Sequence, residues 1–218
     1  MPVQELIETN SSSFKLEDEV GKLHAYAIEH FQKNLPVINE GVYLGCISVE
    51  DLAGISFNDS LNNHAYLIRK FFITEEISDL LLLNEFAVNQ TDILPVLNEN
   101  EEWIGIIHLD DFLNRFSDLP FLNFRGEEIS LRKKRIDFSY SEIAQIVESQ
   151  NAKILGVYTS KLDEQFIELS LRIDHNGMNE VLQALRRYDY EILSFHQNDL
   201  HSENLRENSA YLDKYLNI

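Results

Sequence analysis

The chain has 218 residues, of which 44 % are hydrophobic and 25 % charged, a composition typical of a folded globular protein. Its 37 acidic and 18 basic residues leave a formal net charge of −19, which repels nucleic acid and anionic membrane surfaces, so we expect neither as a partner. It has no apolar run near the roughly 20 residues of a membrane span, and its start, MPVQELIETNSSS, does not resemble a signal peptide, so we expect a cytoplasmic protein.

The first predicted element is an amphipathic helix in LEDEVGKLHAYAIEHF. Its apolar residues recur at helical spacing and would form one buried stripe; they are Val20, Leu23, Ala27, Ile28 and Phe31. Three acidic residues at positions 17–19 directly precede this stripe. They suit a helix N-terminus, because the helix dipole attracts negative charge there.

A strand hairpin is predicted next. LPVI and VYLGCIS are rich in β-branched and aromatic residues and are separated by the turn-forming NEG. Pro36 cannot donate a ladder hydrogen bond, so we place it, like Pro95 in a later strand, at a strand start or a sheet edge. Cys46 is the only cysteine and lies in an apolar run, which predicts a buried, unreactive thiol. VEDLAG then begins a short helix.

The same order of elements recurs further along the chain. Thr74 is the predicted N-cap of a second helix, whose apolar residues are Ile77, Leu80, Leu81 and Val88. LPVLNENEEWIGIIHLDDF follows, and it matches residues 35–52 at eight of 18 positions when Asn100 is treated as an insertion. This similarity indicates a duplicated unit of about 60 residues with the order helix, strand, strand, helix.

The two copies resemble CBS domains, which normally occur in tandem. The resemblance is carried by the leading helix, the LPV strand and the short sequences GCISVED and GIIHLDD. The matching residues are Gly45, Ser48 and Asp51 in the first copy and Gly105, His108 and Asp111 in the second. The resemblance covers about residues 14–116 and implies a pseudo-twofold pair packed through its sheets, with clefts that hold adenosine-containing ligands.

The resemblance also implies which residues would contact such a nucleotide. Asp51 and Asp111 would accept hydrogen bonds from ribose hydroxyls, and Ser48 with nearby backbone N–H groups would hold a phosphate. The strand residues whose backbone would face the adenine are Pro36, Val37, Ile38, Pro95 and Val96. Two alternatives stay open: His108 either reaches a phosphate or fills its cleft, and the aspartates either bind ribose or only cap helices.

A bound phosphate also needs positive charge, which is scarce in this acidic chain. Arg69 and Lys70, just before the second helix, are the candidates in one copy, and Lys15 is the corresponding candidate in the other. The alternative for all three is an ordinary solvated basic side chain.

The residues after the second copy do not repeat the unit. SDLPFLNFRGEE is turn-rich and predicts a linker. A strand with Ile129 and Leu131 then leads to a helix that opens with an S-x-x-E capping box at Ser139 and Glu142. AKILGVYT, FIELSLRI, a helix from Met178 and YEILSF complete the order β-α-β-β-α-β. This order is the ferredoxin-like arrangement, and after a CBS pair it resembles an ACT domain.

The predicted domains are residues 1–56 and 57–116 for the two CBS repeats and 117–218 for the ACT-like domain. This combination is similar to bacterial proteins of the acetoin-utilisation regulator type. A final helix, predicted to pack on a partner subunit, carries Leu205, Leu212, Tyr215 and Leu216. The turn IDFSYSE lacks the glycine through which ACT domains often bind amino acids, so side-by-side dimerisation is the alternative role for this domain.

No sequence motif for nucleophilic catalysis or metal ligation appears, so we expect neither an enzyme nor a required cofactor. Two functions remain. One is a regulatory protein whose CBS pair binds an adenosine nucleotide such as AMP, ADP or ATP and signals through homodimer geometry to an unknown protein partner. The other is a ligand-free homodimeric interaction module whose clefts are filled by side chains.

Overall fold

The computed structural model describes residues 3–194, and the chain divides into two units, Met1–Asp118 and Leu119–Ile218. The protein is mixed α/β, as the sequence predicts. The predicted final helix with Leu205, Leu212, Tyr215 and Leu216 lies outside the described residues. The domain boundaries drawn from the repeat pattern stay predictions.

The first copy of the repeat contains one α-helix and a two-stranded hairpin. Helix α1 spans Val20–His30, directly after the acidic run, and strands β1 (Asn34–Asn39) and β2 (Val42–Ser48) pair antiparallel. The short helix predicted after β2 is only a 3-10 turn at Glu50–Leu52. It ends there because Ala53 is extended and Gly54 has a φ of +85°.

The second copy repeats these elements, with a short strand added before the helix and a full α-helix in place of the 3-10 turn. They are β3 (Ile73–Thr74), α2 (Asp79–Asn89), β4 (Ile93–Leu97), β5 (Trp103–His108) and α3 (Leu109–Ser117). Val37 pairs with Gly45 as Val96 pairs with Gly105, and both hairpins have a bulge directly after this pair. The inserted Asn100 lies in the β4–β5 turn, so it lengthens a loop without changing the register of the strands.

Helices α1 and α2 have 11 residues each and bury equivalent positions. Leu23 and Ala27 of α1 correspond to Leu82 and Phe86 of α2, and all four pack into the cores of their own copies. The duplication therefore includes the packing of each helix on its hairpin.

The apolar stripes predicted for these helices are too wide. In α1, Ile28 is 74 % exposed, and Phe31, the left-handed C-cap, is 92 % exposed. In α2 the exposed residues are Leu80, Leu81 and Val88. Successive residues turn by about 100° around a helix, so the neighbours of a buried position point away from the core that covers it.

Ser78, and not Thr74, caps helix α2. The Ser78 hydroxyl accepts a hydrogen bond from Leu81 N at 3.4 Å. Thr74 instead lies in β3, where it pairs with Leu97 of β4. Both hydroxyl residues precede Leu80 and Leu81, and only the pairing of β3 with β4 selects between them.

The second unit has the predicted order of elements. After a short helix α4 (Pro120–Asn123) it contains β6 (Glu127–Lys134), α5 (Tyr140–Ser149), β7 (Lys153–Leu162), β8 (Phe166–Asp174), α6 (Met178–Arg187) and β9 (Glu191–Ile192). The four strands form one antiparallel sheet in the order β7-β8-β6-β9. Its core joins alternate residues of β6 and β8 to the inner faces of α5 and α6.

The stretch predicted as a linker packs on this sheet. The ring of Phe121 in α4 occupies the space over Gly156 that a side chain would need, and it meets Tyr158 edge to face at 6.3 Å. Arg172 also donates a hydrogen bond to Phe124 O at 3.1 Å. Residues 120–124 therefore belong to the second unit.

Ser139 is the N-cap of α5, but the predicted capping box does not form. The Ser139 side chain makes no capping hydrogen bond. The Glu142 carboxylate accepts hydrogen bonds from Lys133 Nζ and, at 2.8 Å, from the Tyr190 hydroxyl. Lys133 is only 8 % exposed, so leaving its ammonium without a counter-charge would cost more free energy than leaving the helix without this cap. The hydrogen bond from Lys133 lowers the pKa of Glu142.

Candidate ligand clefts of the duplicated unit

The segment ahead of each copy pairs with a strand of the other copy. Arg69, ahead of the second copy, exchanges two backbone hydrogen bonds of 2.9 Å with Cys46 in β2. Glu8, ahead of the first copy, exchanges bonds of 2.8 and 3.2 Å with Ile106 in β5. Cys46 and Ile106 are equivalent residues, so Arg69 and Glu8 hold equivalent positions. The exchange therefore places a base beside one copy and an acid beside the other.

Two glycines make this close pairing possible. A Cβ at Gly45 would lie 2.5 Å from Arg69 O, and a Cβ at Gly105 would lie 2.4 Å from Glu8 O. The blocking atoms are backbone atoms of a paired strand, so they cannot move aside without breaking the pairing. The central glycine of each copy is therefore required for the close approach of the segment that precedes the other copy, which carries Arg69 in one case and Glu8 in the other.

The first cleft is the surface formed by Ser48, Asp51 and Arg69. Ser48 ends β2, and its hydroxyl accepts a hydrogen bond from Glu50 N at 3.2 Å. Asp51 is exposed in the 3-10 turn that follows. Arg69 is exposed and lies opposite Cys46. Ser48 is two residues after Cys46 in β2, and alternate residues of a strand share a sheet face, so Arg69 and Ser48 lie on the same face. Such diagonal neighbours are about 7–8 Å apart, within reach of a long side chain.

His108 holds the position of Ser48 in the second copy, and it is joined to Glu8. His108 Nε2 donates a hydrogen bond to Glu8 Oε2 at 2.8 Å. The histidine does not fill its cleft, because it lines a cavity of about 280 Å³. We call this cavity the acidic cleft; its lining residues are Glu8, Ser11, Tyr26, Glu29, His30, Phe31, Gln32, Ile106 and His108. Asp111 is exposed in the first turn of α3.

The backbone of the first LPV strand is already hydrogen-bonded. Phe14 N donates to Pro36 O at 2.9 Å, and Ile38 N donates to Phe14 O at 2.8 Å. On the opposite edge, Val37 pairs with Gly45 of β2. Pro36 O and Ile38 N are therefore already hydrogen-bonded within the sheet, and the prediction that this strand faces an adenine stays a prediction.

The second LPV strand is enclosed in the same way. β4 lies between β3 and β5, so Pro95 and Val96 are paired on both edges of an interior strand. Pro36 lies in an edge strand, as predicted, because β1 pairs with β2 alone in a two-stranded sheet and meets Phe14 only through an isolated bridge, whereas Pro95 lies in an interior strand and not at the strand start or sheet edge predicted for it. Both prolines are tolerated because the parallel neighbour begins to pair only at the following valine, so no N–H is needed.

The three basic residues predicted to contact a phosphate lie in three different surroundings. Arg69 lies at the first cleft, and Lys70 Nζ lies 3.8 Å from Glu101 Oε2. Lys15 donates its backbone N–H to the Asp18 carboxylate at 2.8 Å. Because Glu8 pairs with Ile106 as Arg69 pairs with Cys46, Glu8 and not Lys15 is the counterpart of Arg69; that Lys15 contacts a phosphate stays a prediction.

Asp92, which the sequence reasoning missed, connects the two copies. Its carboxylate accepts hydrogen bonds from Lys33 N at 2.7 Å, Asn34 N at 3.0 Å and Asn34 Nδ2 at 2.8 Å. A signal for it was present in the sequence, since Lys33 and Asp92 precede the two LPV strands by the same interval and carry opposite charges.

Cys46 is buried between the copies, where it packs with Ile93 and Ile106. Burial raises the pKa of Cys46 to about 12. The Tyr43 hydroxyl lies 3.6 Å from its sulfur and donates a hydrogen bond to Phe71 O at 2.7 Å. The predicted buried thiol is confirmed.

Other candidate sites are few in the described part of the chain. A cavity of about 410 Å³ is lined by Gln4, Thr74, Glu75, Glu76, Leu97, Asn98, Glu99 and Asn100. Within residues 3–194, no group of three or more histidine, cysteine, aspartate or glutamate side chains is arranged to hold a metal ion. None of the helices in this range is both long and apolar enough to cross a membrane.

No known family model matches the chain. Several solved structures similar to it contain CBS domains. A CBS domain pair/ACT domain protein from Thermotoga maritima is 23 % identical with a TM-score of 0.48, over 53 % of this chain and 96 % of that chain. The CBS domains of a transcriptional regulator from Streptococcus pneumoniae are 16 % identical with a TM-score of 0.47, over 52 % and 98 % of the two chains. The CBS domain of a bacterial CNNM/CorC family Mg²⁺ transporter, in complex with ATP, is 22 % identical with a TM-score of 0.44, over 52 % and 85 %.

Proposed function

We propose that the chain is a regulatory, ligand-sensing protein whose duplicated unit is a CBS pair that binds an adenosine-containing nucleotide, such as AMP, ADP or ATP, at the first cleft. Binding changes the geometry of a homodimer, and an ACT-like second unit passes this change to a protein partner. In this proposal the protein is cytoplasmic, is similar to acetoin-utilisation regulators, is not an enzyme and requires no cofactor.

The placement of Arg69 is the observation that carries this proposal. Two backbone hydrogen bonds hold Arg69 to Cys46, and its exposed guanidinium lies 5.9 Å from the centroid of the Phe71 ring, on the sheet face that also carries Ser48. A guanidinium is well suited to a phosphate because it presents several N–H donors in one plane. In a chain with a net charge of −19, a base fixed at this position favours an anionic ligand.

The neighbouring groups supply the rest of a nucleotide site. The Ser48 hydroxyl accepts from Glu50 N and keeps its own O–H, which can donate to a phosphate oxygen. The exposed carboxylate of Asp51 can accept hydrogen bonds from vicinal ribose hydroxyls. The acidic cleft lacks this combination, because Glu8 stands where Arg69 stands in the first cleft and would repel a phosphate. His108 and Asp111 are therefore not part of the proposed nucleotide site.

A thermal-shift titration with adenosine, AMP, ADP, ATP, NAD and S-adenosylmethionine tests the nucleotide site. At a hundredfold excess over Kd, a ligand that binds only the folded protein stabilises it by about 2.7 kcal/mol, which raises Tm by roughly 5–10 °C for a chain of this size. We expect a shift with at least one phosphorylated nucleotide. Arg69→Gln should abolish the phosphate-dependent part of the shift, and Ser48→Ala and Asp51→Ala should reduce it.

Lys70→Gln is the matched control, since Lys70 is the adjacent exposed base and lies near Glu101 instead. It should leave the shift unchanged. A shift that survives Arg69→Gln, or that disappears equally in Lys70→Gln, would place the ligand elsewhere.

A ligand-free homodimeric module is the second candidate, and the outer face of α2 favours it. Leu80, Leu81 and Val88 are exposed on α2, whereas the equivalent positions of α1 carry Gly21, Lys22 and Glu29. An apolar surface of this kind is typical of an interface between subunits. The double variant Leu81→Lys with Val88→Glu gives α2 the residues of α1, so the helix can still form.

Sedimentation equilibrium measures the effect. We expect the wild type to be dimeric and the double variant to dissociate at least tenfold more readily. Ile136→Glu, at a residue of the second unit that is 90 % exposed, is the control and should not change the dimer. A dimer unaffected by nucleotides and sensitive only to the α2 variant supports the ligand-free module. Equal sedimentation of all variants removes α2 as the interface.

A further inference from the structure

The acidic cleft has the lining of a ligand site, but for a ligand of a different charge from a nucleotide. Its cavity of about 280 Å³ is large enough for a small organic molecule. Glu8 and Glu29 contribute two carboxylates, and the lining contains neither lysine nor arginine. The two carboxylates have no lysine or arginine beside them in the lining, so the cavity favours a cation and disfavours a phosphate.

Aromatic side chains surround the same cavity. The rings of Tyr26 and His30 are stacked with centroids 3.9 Å apart, and His30 Nδ1 donates to Tyr26 O at 3.0 Å. Phe31 follows at the left-handed C-cap of α1, with its side chain 92 % exposed at the cavity. The faces of tyrosine and phenylalanine attract ammonium groups through their π electrons. Carboxylates and aromatic rings together are the groups that recognise an organic ammonium ion.

We propose that the acidic cleft binds a small organic cation with an ammonium head group. Glu8 and Glu29 balance its charge, and the rings of Tyr26 and Phe31 contact the cationic group. Glu8 belongs to the segment ahead of the first copy and is hydrogen-bonded to His108 in the second, so the cation is held where the two copies meet. This site is separate from the proposed nucleotide site and does not require it.

Isothermal titration calorimetry of the full chain with choline and with spermidine tests the proposal. We expect at least one of them to bind with a stoichiometry of one per chain. Glu8→Gln and Glu29→Gln should each weaken binding at least fivefold, because each removes one of the two negative charges. Tyr26→Leu should weaken choline binding by a similar factor. The uncharged isostere of choline, 3,3-dimethylbutan-1-ol, should not bind detectably.

Glu99→Gln is the matched control. It removes one carboxylate from the cavity of about 410 Å³, which is lined by Glu75, Glu76 and Glu99 but by no aromatic residue. It should leave the affinity unchanged, whereas general attraction of cations to an acidic protein would make it as harmful as Glu8→Gln. Equal losses in the two variants would overturn the proposal, and so would the absence of binding by both cations.

Competition separates this site from the nucleotide site. AMP should not displace choline, and Arg69→Gln should leave choline binding intact. Displacement by AMP with loss of both ligands in Glu8→Gln would show one shared site and overturn the proposal. Failure of nucleotides to bind while choline binds would contradict only the proposed nucleotide site.

Discussion

Asp92 Oδ1 accepts hydrogen bonds from both the backbone N–H and the side-chain amide of Asn34, at 3.0 and 2.8 Å, across 58 residues of sequence. Asn34 is only 4 % exposed, and it begins the first LPV strand, while Asp92 directly precedes the second. This contact joins the two copies at the base of their hairpins.

Removal of the Asp92 carboxylate should destabilise the contact between the two copies. Asp92→Ala leaves up to three N–H donors without an acceptor, so we expect a loss of about 2–4 kcal/mol in the free energy of unfolding, measured by urea denaturation. Asp110→Ala, at an exposed helix start, is the control and should cost less than about 1 kcal/mol. Equal costs for both variants would mean that the contact contributes nothing specific.

Gly105→Ala should disrupt the exchanged pairing. Its Cβ would strike Glu8 O, so we expect a loss of about 1–3 kcal/mol and faster hydrogen exchange at the amides of Glu8 and Ile106. Gly41→Ala is the control, because nothing lies within 4 Å of its added Cβ. Gly41 has a positive φ, so Gly41→Ala should lower the free energy of unfolding only through backbone strain at that residue. Hydrogen exchange at the amides of Glu8 and Ile106 should stay unchanged. Unchanged exchange in Gly105→Ala would contradict the packing role of this glycine.

The Cys46 thiol should be unreactive in the folded protein. It is buried, and its pKa is raised to about 12, so the thiolate is scarce at pH 8. We expect no reaction with Ellman's reagent at pH 8 under native conditions and one thiol per chain after unfolding in guanidinium. Rapid labelling of the folded protein would show that the two copies open at Cys46.

The Glu142 carboxylate should make stability depend on pH. Its pKa is lowered in the folded protein, mainly by the hydrogen bond from Lys133, so its contribution is complete above the ordinary value of 4.5 and is lost as the pH falls through the lowered value. We expect Glu142→Gln to destabilise the protein at pH 7, because it leaves the Lys133 ammonium buried without a counter-charge. The difference from wild type should shrink as the pH falls below 4.5 and through the lowered pKa of Glu142. Urea denaturation at pH 7 and pH 3.5 measures it, and a constant difference would exclude this linkage.

The fold of the described chain followed largely from local patterns. The strands of each LPV hairpin were predictable because β-branched residues are concentrated in short runs between turn residues. The helices of the second unit were predictable because Ile143, Ile146 and Val147 recur at helical spacing and are all buried. The predictions failed where two local signals competed, as for Thr74 and Ser78, and only the pairing of β3 with β4 decided between them.

The candidate site was predictable in part. Repetition of the sequence located Ser48, Asp51, His108 and Asp111 at equivalent places, because duplicated sequence produces duplicated structure. It did not show that Glu8 is the counterpart of Arg69, since these residues lie outside the repeated stretch and become equivalent only through backbone pairing.

The sequence by itself determined the duplicated unit, the β-α-β-β-α-β order of the second unit and the burial of Cys46, because periodicity and composition are local properties of a chain. Only the tertiary structure decided the charge of each cleft, the enclosure of the LPV backbones and the link from Asp92 to Asn34. These features depend on which distant segments pair, and hydrogen bonds between such segments form only when the whole unit folds.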